Sequence, residues 1–488
     1  MNFFNFDTTY TNLNEIFYVI NNPNPFPHPE YVLFNDGLAR ELNISFQLKA
    51  HPEILTGRTV IEGTAPFSTA YAGHQFGNFT MLGDGRQHIL GEHITPQNKR
   101  YDIQLKGSGR THFSRSGDGK ATIGPMLREY IISEAMHHLN IPTTRSLAIC
   151  STGEKVLRES MLPGAVLTRT ANSNIRVGTF EYAARTAHKH LKELADYTIE
   201  RHFPNLMSTK NKYLNLLDIV IDKQARLIAQ WQSIGFIHGV MNTDNMMVSG
   251  ETIDYGPCAF MDYYHTYTVF SSIDIQGRYA YINQPAIALW NLTRFTEALL
   301  PLIHTDGKEA IRLAESTLDK FQHSYMVYYR TLMGQKIGIK SPSEEDMILI
   351  DELLLLMEQY EMDYTNTFLN LQSEDISSLE PLSSWITKWK KRLKVEKNPI
   401  QLMRKVNPVV IPRNHIVEEA LDDAIHGDLS TVKALLQVLS QPFNSEHADK
   451  YKHPGPKDKP YQTFLWNIKS EEITIISPLH SFILKCFS

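Results

Sequence analysis

The spacing of hydrophobic and polar residues turns from mostly strand-like to mostly helical part-way along this chain. Between about residues 61 and 120, apolar residues come in short runs punctuated by glycine: Ala72-Gly-His-Gln-Phe-Gly, Leu82-Gly83-Asp-Gly85-Arg86 and Leu105-Lys-Gly-Ser-Gly. Glycine supplies the positive φ that tight turns need, so this region predicts strands joined by turns. Tyr101-Asp-Ile-Gln-Leu-Lys106 alternates apolar and polar residues, the mark of a half-buried strand, and a second strand-rich piece runs from Thr144 to Leu167. Between them Met126, Leu127, Tyr130, Ile131 and Ala135 recur at helical spacing behind Pro125, which predicts a helix over 125–139. Beyond about Tyr182 the period is mostly helical, with helices predicted over 214–236, 285–302, 308–333, 343–371 and 415–439. The first 60 residues are loop-rich, with Asn-Pro-Asn-Pro-Phe-Pro-His-Pro at 22–29 and a helical pattern from Asp36 to Leu42. The expected class is α+β. Its parts are an N-terminal extension (1–60), a β-rich lobe (61–185), a helical lobe (186–400), a C-terminal helical extension (401–464) and an atypical tail (465–488).

Composition narrows the function classes. With 488 residues and 42% hydrophobic content the chain can bury a large core in more than one lobe. A net charge of −5 removes the electrostatic case for nucleic acid as the main partner. Cys150, Cys258 and Cys486 show no C-x-x-C spacing, so neither a disulfide framework nor a structural zinc site is expected. The N-terminus lacks a basic region followed by an apolar stretch, and the longest apolar run, Ile348 to Met357, is interrupted by acids. These features predict a cytoplasmic protein, monomeric by default, with no membrane span.

The chemistry centres on His238-Gly-Val-Met-Asn-Thr-Asp244-Asn245, followed by Asp254-Tyr-Gly256. In the kinase pattern H-R-D-x-x-x-x-N the base follows the His by two residues, and here that position is Val240, which accepts no proton. Asn245 falls at the pattern's Asn, and Asp254-Tyr-Gly stands where kinases carry D-F-G. Both supply oxygen ligands suited to magnesium or manganese bound together with phosphates. Asp244 is the nearest carboxylate able to replace the missing base. Lys106, at a strand end, takes the place of the lysine that grips nucleotide phosphates, with Glu129 on the next helix as its ion-pair partner. A lone lysine there is ordinarily a solvated one; the ordered set Lys106, Glu129, Asn245 and Asp254 changes that reading. Gly83, Gly85 and Arg86 lie where a glycine turn covers a nucleotide. The basic stretch Gly107 to Lys120, with Asp118 and Gly119, has the makings of an anion nest. Arg169 and Arg176 present guanidinium forks suited either to phosphate oxygens or to surface carboxylates. A β-rich lobe followed by a helical lobe carrying these motifs is the architecture of protein kinases.

These residues resemble the selenoprotein O family (SelO, or YdiU-like) over about residues 20–464. The resemblance rests on Ala70-Tyr-Ala-Gly-His-Gln-Phe-Gly, Leu82-Gly-Asp-Gly-Arg, Leu105-Lys-Gly-Ser-Gly-Arg-Thr, Ser114-Arg-Ser-Gly-Asp-Gly-Lys-Ala, Ile175-Arg-Val-Gly-Thr-Phe-Glu, the His238 and Asp254 motifs, and Asp274-Ile-Gln-Gly-Arg-Tyr-Ala-Tyr-Ile-Asn-Gln-Pro. It implies a protein-kinase-like pseudokinase fold in which ATP lies inverted, so that AMP is transferred and pyrophosphate released. The implied acceptors are Ser, Thr or Tyr hydroxyls of other proteins and of the enzyme itself. It further implies nucleotide contacts from Gly83, Gly85, Arg86, Lys106, Asp118, Gly119, Arg169, Arg176 and Asp254. Metal ligation falls to Asn245 and Asp254, and proton acceptance to Asp244. A kinase-like phosphotransferase, opposed by Val240, and a non-catalytic nucleotide-binding scaffold are the alternatives.

The C-terminus departs from that pattern. Bacterial members of this type often finish near Tyr461-Gln-Thr-Phe464 with Cys-Gly-Thr, whereas this chain continues Leu465-Trp-Asn-Ile-Lys and ends at Ser488. One inserted T turns codons for Phe-Cys-Gly-Thr into Phe-Leu-Trp-Asn-Ile, so residues 465–488 are expected to be a frame-shifted tail. Cys486 is then not the family's terminal redox cysteine.

Overall fold

The computed structural model describes residues 3–373, 377–444, 446, 449–457 and 461–463. The expected frame-shifted tail and Cys486 lie outside the described residues. The change of period in the sequence marks a change of architecture, because every described strand longer than two residues ends by Ala171.

The first part carries β1 (Tyr18–Ile20), β2 (Glu30–Phe34), α1 (Asp36–Glu41), α2 (Pro52–Leu55), β3 (Phe67–Thr69), β4 (Ala72–Gln75), β5 (Asn78–Met81), β6 (Gln87–Ile94), β7 (Arg100–Lys106), α3 (Ile123–His138), β8 (Arg145–Leu157) and β9 (Met161–Ala171). Seven strands form an antiparallel sheet in the order β1-β3-β6-β7-β9-β8-β2, and β4–β5 is a separate hairpin. The first 60 residues, read from sequence as a loop-rich extension, supply both edge strands of this sheet. β1 is three residues long and β2 follows a proline-rich run, so neither shows an alternation long enough to stand out. Pairing with β3 and β8 holds them.

The alternation in β7 also has a different meaning from the one predicted. Residues 102–106 are all buried, because β7 is central and covered on both faces. Ile103 and Leu105 pack into an apolar cluster with Leu38, Leu48 and Leu55 of the N-terminal segment. Asp102, Gln104 and Lys106 share the other face, as period 2 requires, and each meets a buried polar partner there instead of water. Asp102 takes Arg201 at 2.6 Å, Gln104 takes Arg169 at 2.6 Å, and Lys106 takes Glu129 at 2.6 Å.

The second part is helical: α4 (Val177–Thr186), α5 (Leu191–His202), α6 (Lys212–Ser233), α7 (Gln284–Ile303), α8 (Gly307–Leu318), α9 (Lys320–Lys336), α10 (Glu345–Gln359), α11 (Tyr364–Asn370), α12 (Ser383–Leu393), α13 (Pro399–Val406), α14 (Asn414–Ile425) and α15 (Ser430–Leu439). Three predicted helices are each a pair. Residues 343–371 divide beside Glu361, at φ 47°, and residues 415–439 divide at Gly427, at φ 97°; residues 308–333 divide between Leu318 and Lys320. Two-residue strands β10 (Phe236–Ile237) and β11 (Ala259–Phe260) pair across the loop of residues 238–258, the central loop. α14 and α15 pack on α3, which explains why α3 is buried nearly all round instead of along one stripe. No helix among the described residues is long and apolar enough to cross a membrane.

Candidate active site

Three cations and two carboxylates meet where the sheet adjoins the helices. β7 ends by delivering Lys106, whose Nζ lies 2.6 Å from Glu129 Oε2 on α3 and 2.5 Å from Asp254 Oδ1. β9 supplies Arg169, whose Nη1 donates to Glu129 Oε1 at 2.9 Å and to Asp254 Oδ1 at 2.8 Å. Gln104 and Gln87, accepting at 2.6 and 2.8 Å, fix the rest of that guanidinium. Arg176 arrives from the turn into α4, where its backbone pairs with Met247 just beyond the central loop. Its Nη1 donates to the Asp244 carbonyl at 2.7 Å and to Asp254 Oδ2 at 3.0 Å, and the Tyr71 ring lies 4.6 Å beneath it.

Asp254 therefore faces three positive groups. Its backbone sits at φ 61°, a region that Asp tolerates better than most residues. Burial alone would raise its pKa, but Lys106, Arg169 and Arg176 overcome this and hold the carboxyl well below the usual range. At 18% exposure it is the most open member of the cluster, while Arg169 and Arg176 are 1% exposed.

The central loop places the remaining groups. His238 is buried, with Nε2 against the Ile253 carbonyl at 2.9 Å, and ties the loop to the segment before Asp254. Val240 is buried beside it and has no proton-accepting side-chain atom. Asn245 Nδ2 donates to the Val240 carbonyl at 3.0 Å, which leaves Oδ1 as the amide's open acceptor. Asp244 Oδ1 is buried without a hydrogen-bond partner among the described residues. Burial pushes its carboxyl up to about 6, against the opposing pull of Arg176.

The β4–β5 hairpin lies over this loop. His74 N donates to Thr243 Oγ1 at 2.7 Å and Phe76 N to Asn242 Oδ1 at 3.1 Å. Gly73 touches the carboxylate itself, because a Cβ there would stand 2.4 Å from Asp244 Oδ1. The hairpin needs a glycine at this position for space, not for its dihedrals.

The glycine turn after β5 closes over the cluster. Gly83, at φ 141°, is packed under Phe113, and a Cβ would come 2.3 Å from that ring. The carbonyls of Asp84 and Gly85 accept from Thr111 at 2.6 Å and Ser114 at 2.5 Å. Arg86 makes no ion pair among the described residues. Burial lowers its pKa, Asp254 and Glu129 oppose that, and the Arg158 and Arg169 charges add to it. Asp118 stands further out, 46% exposed and held by Arg158 at 2.8 and 3.1 Å. Gly119, at φ 69°, packs directly on the Gly109 backbone and closes the basic loop on itself. Cys150 and Cys258 are free, buried thiols.

The structure thus joins Lys106, Glu129, Arg169, Arg176, Asp244, Asn245 and Asp254 at one place, with the Gly83–Arg86 turn above and Asp118–Gly119 at the rim. Several contributors were not singled out from sequence. Asp84, with Oδ2 accepting from Thr69 N at 3.0 Å and Oγ1 at 2.7 Å, lies inside the quoted Gly-Asp-Gly turn. Gln87 and Gln104 were visible only as polar positions in strands, Tyr71 only inside the quoted Ala70-Tyr-Ala-Gly stretch, and Arg158 carried no signal.

The donor set fits a polyphosphate and a hard divalent cation. Among the described residues no three His, Cys, Asp or Glu side chains form a metal cage. Asp254 and Asn245 Oδ1 are oxygens of the kind that hold a hard cation together with phosphates. Asp84 Oδ1, Asp244 Oδ1 and Nε and Nη2 of Arg176 are buried without hydrogen-bond partners among the described residues, and Asp84 Oδ1 lies 3.8 Å from Arg176 Nη2.

The family model described as protein adenylyltransferase SelO matches residues 2–440. A protein nucleotidyltransferase YdiU of Clostridium perfringens (strain SM101 / Type A) is 53% identical over 476 residues, covering 94% of this chain and 97% of its own. Proteins of the same name from Anoxybacillus flavithermus and Brevibacillus brevis are each 53% identical, over 472 and 476 residues. Both cover 94% of this chain, and 98% and 97% of their own. The chain belongs to the SelO family, and with it to the nucleotidyltransferases.

Proposed function

We propose that this chain is a protein adenylyltransferase of protein-kinase-like bilobal architecture. In this reading residues 61–185 form the nucleotide lobe, 186–400 the catalytic lobe, and 1–60 and 401–464 flank them. It moves AMP from ATP to a Ser, Thr or Tyr hydroxyl of a protein, its own chain included, and releases pyrophosphate. The observation that carries this is the pairing of Val240, which cannot act as a base, with a phosphate-type cation cluster beside which Asp244 Oδ1, on the same loop, is buried without a hydrogen-bond partner among the described residues. The family, described as protein adenylyltransferase SelO, and its relatives, named protein nucleotidyltransferase YdiU, support the reaction class.

The residues divide the work. Lys106, Arg169 and Arg176, fixed by Glu129, Gln104 and Gln87, carry positive charge that needs no rearrangement when phosphates arrive. Arg86 adds a guanidinium that has no carboxylate to leave. With ATP inverted, these groups hold the terminal phosphates inward and present the α-phosphorus toward the hydroxyl. The acceptor oxygen bonds to that phosphorus as the bond to the bridging oxygen breaks, pyrophosphate leaves, and the hydroxyl proton passes to Asp244. Magnesium or manganese held by Asn245 and Asp254 supplies divalent charge that offsets the phosphate oxygens.

Incubation with ATP carrying radiophosphorus at either the α or the γ position tests this. Label on protein from the α position alone supports adenylyl transfer, whereas label from the γ position alone would make the chain a kinase and refute the inverted nucleotide.

A further inference from the structure

One face beside Asp244 is built from rings and guanidiniums that the transfer chemistry does not use. It runs Arg185, Phe79, His74, Trp290 and Arg278. Arg185 lies 3.8 Å over the Phe79 ring, Phe79 meets His74 at 5.4 Å, His74 meets Trp290 at 5.2 Å, and Arg278 lies 5.0 Å over Trp290. Three elements hold it in place. α4 runs along the hairpin, with Gly178 against Ala72 and Glu181 paired to His74. The turn bearing Arg278 is fixed by Asp274, which accepts from Arg278 N at 2.9 Å and Tyr279 N at 2.7 Å. Tyr279 in turn donates to Asn242 Oδ1 at 2.6 Å, the oxygen that also receives Phe76 N. The face is therefore rigidly linked to the loop carrying Asp244.

Its charge is unbalanced. Arg185 is exposed, and neither it nor Arg278 forms an ion pair among the described residues. Glu181 is committed to His74, and a further arginine over Trp290, Arg294, is paired with Glu297 at 2.8 Å. A guanidinium stacked on a ring keeps its N–H edges free for a carboxylate. Two of them stand on a chain whose net charge is −5 and whose surface elsewhere offers acids. Beside Arg278, Ile275 is 91% exposed and provides an apolar contact on the same turn.

We propose that this face docks the acceptor protein through Asp or Glu side chains near the acceptor hydroxyl, so that Arg185 and Arg278 set substrate preference. This rests on the adenylyltransferase reading. It is tested with synthetic peptides containing one Ser and one Tyr, flanked by Glu, by Gln or by Lys. Two quantities are read: KM and kcat for transfer of α-labelled phosphate, and peptide binding by fluorescence anisotropy without ATP. The wild-type protein is expected to favour Glu-flanked over Gln-flanked peptides about tenfold in KM, a size that one exposed charge pair at Arg185 and one half-buried pair at Arg278 support. Arg185→Gln with Arg278→Gln removes the preference while the ATP Kd stays fixed, and Arg278→Glu shifts it toward Lys-flanked peptides. Equal KM for all peptides in the wild type, survival of the preference in the double variant, or tighter binding of a single-stranded oligonucleotide through the same arginines overturns the docking site. If no peptide is labelled yet anisotropy shows the acid preference and its loss in the double variant, the docking site stands and the transfer reading falls.

Discussion

Replacing Asp254 by alanine removes one carboxylate from a site where three buried cations converge on it. Lys106 and Arg169 keep Glu129, but Arg176 Nη1 keeps only the Asp244 carbonyl and a distant Asp84, 3.8 Å from Nη2. Breaking a buried pair from one side costs about 3–5 kcal/mol, and the partial exposure of Asp254 places this variant near the lower end. For 488 residues the unfolding entropy near the midpoint is on the order of 1 kcal/mol/K, so Tm falls by about 3 °C. The uncovered cations then form an anion hole. Tripolyphosphate without metal, followed by thermal scanning, raises the variant's Tm more than the wild type's, since the phosphate replaces a carboxylate the wild type already has. Transfer activity stays lost because phosphate restores charge balance but no metal ligand. An Asp254→Ala protein with wild-type Tm, or one that gains no more than wild type from tripolyphosphate, would refute this reading of the cluster.

Other outcomes follow from the same geometry. Asp244 is a carboxyl raised in the native state, so its contribution to stability is complete below about pH 4 and lost as pH rises through about 6. Asp244→Asn, which never ionises, is expected to be more stable than wild type near pH 7.5 by about 3 kcal/mol, a gap that closes toward pH 4 in denaturant titrations. It also loses most turnover while still binding ATP, whereas wild-type turnover falls off below about pH 6 because a protonated carboxyl accepts nothing. Unchanged turnover in Asp244→Asn removes it as the base. Gly73→Ala drives a methyl into Asp244 Oδ1 and should lower kcat about a hundredfold with ATP affinity intact; wild-type kcat would show that the hairpin does not set the carboxylate. Lys106→Ala frees Glu129 from its 2.6 Å contact and weakens ATP binding in calorimetric titration, and wild-type affinity would count against that role.

The site was more legible than the scaffold around it. Lys106, Asn245 and Asp254 could be read because each ends or follows a short pattern whose spacing is itself chemical. Glu129 followed from needing a carboxylate on the next helix. For Arg169 and Arg176 the sequence left phosphate and surface carboxylates equally open. They are buried, not at the surface, and both reach Asp254 across separations of 85 and 78 residues, pairings that no local pattern encodes. Alternation in β7 was real, but its polar face turned to Arg201, Arg169 and Glu129 instead of water, because those partners come from segments 23 to 99 residues further along the chain that no local pattern links to β7. Gly73 looked like turn punctuation and is a steric clearance. The paired helices escaped notice where apolar spacing continued across a break with no proline, as between Leu318 and Lys320.

The central claim is that nucleotide held by this cluster yields its adenylyl group, not its terminal phosphate. Intact-mass spectrometry of the purified chain after incubation with ATP and magnesium or manganese, beside Asp254→Ala and with a Ser/Thr/Tyr-bearing protein added, tests it most directly. The account predicts an adenylate-sized increment on the chain or the added protein, absent in the variant. A phosphate-sized increment, or an adenylate increment that survives in Asp254→Ala, would contradict it.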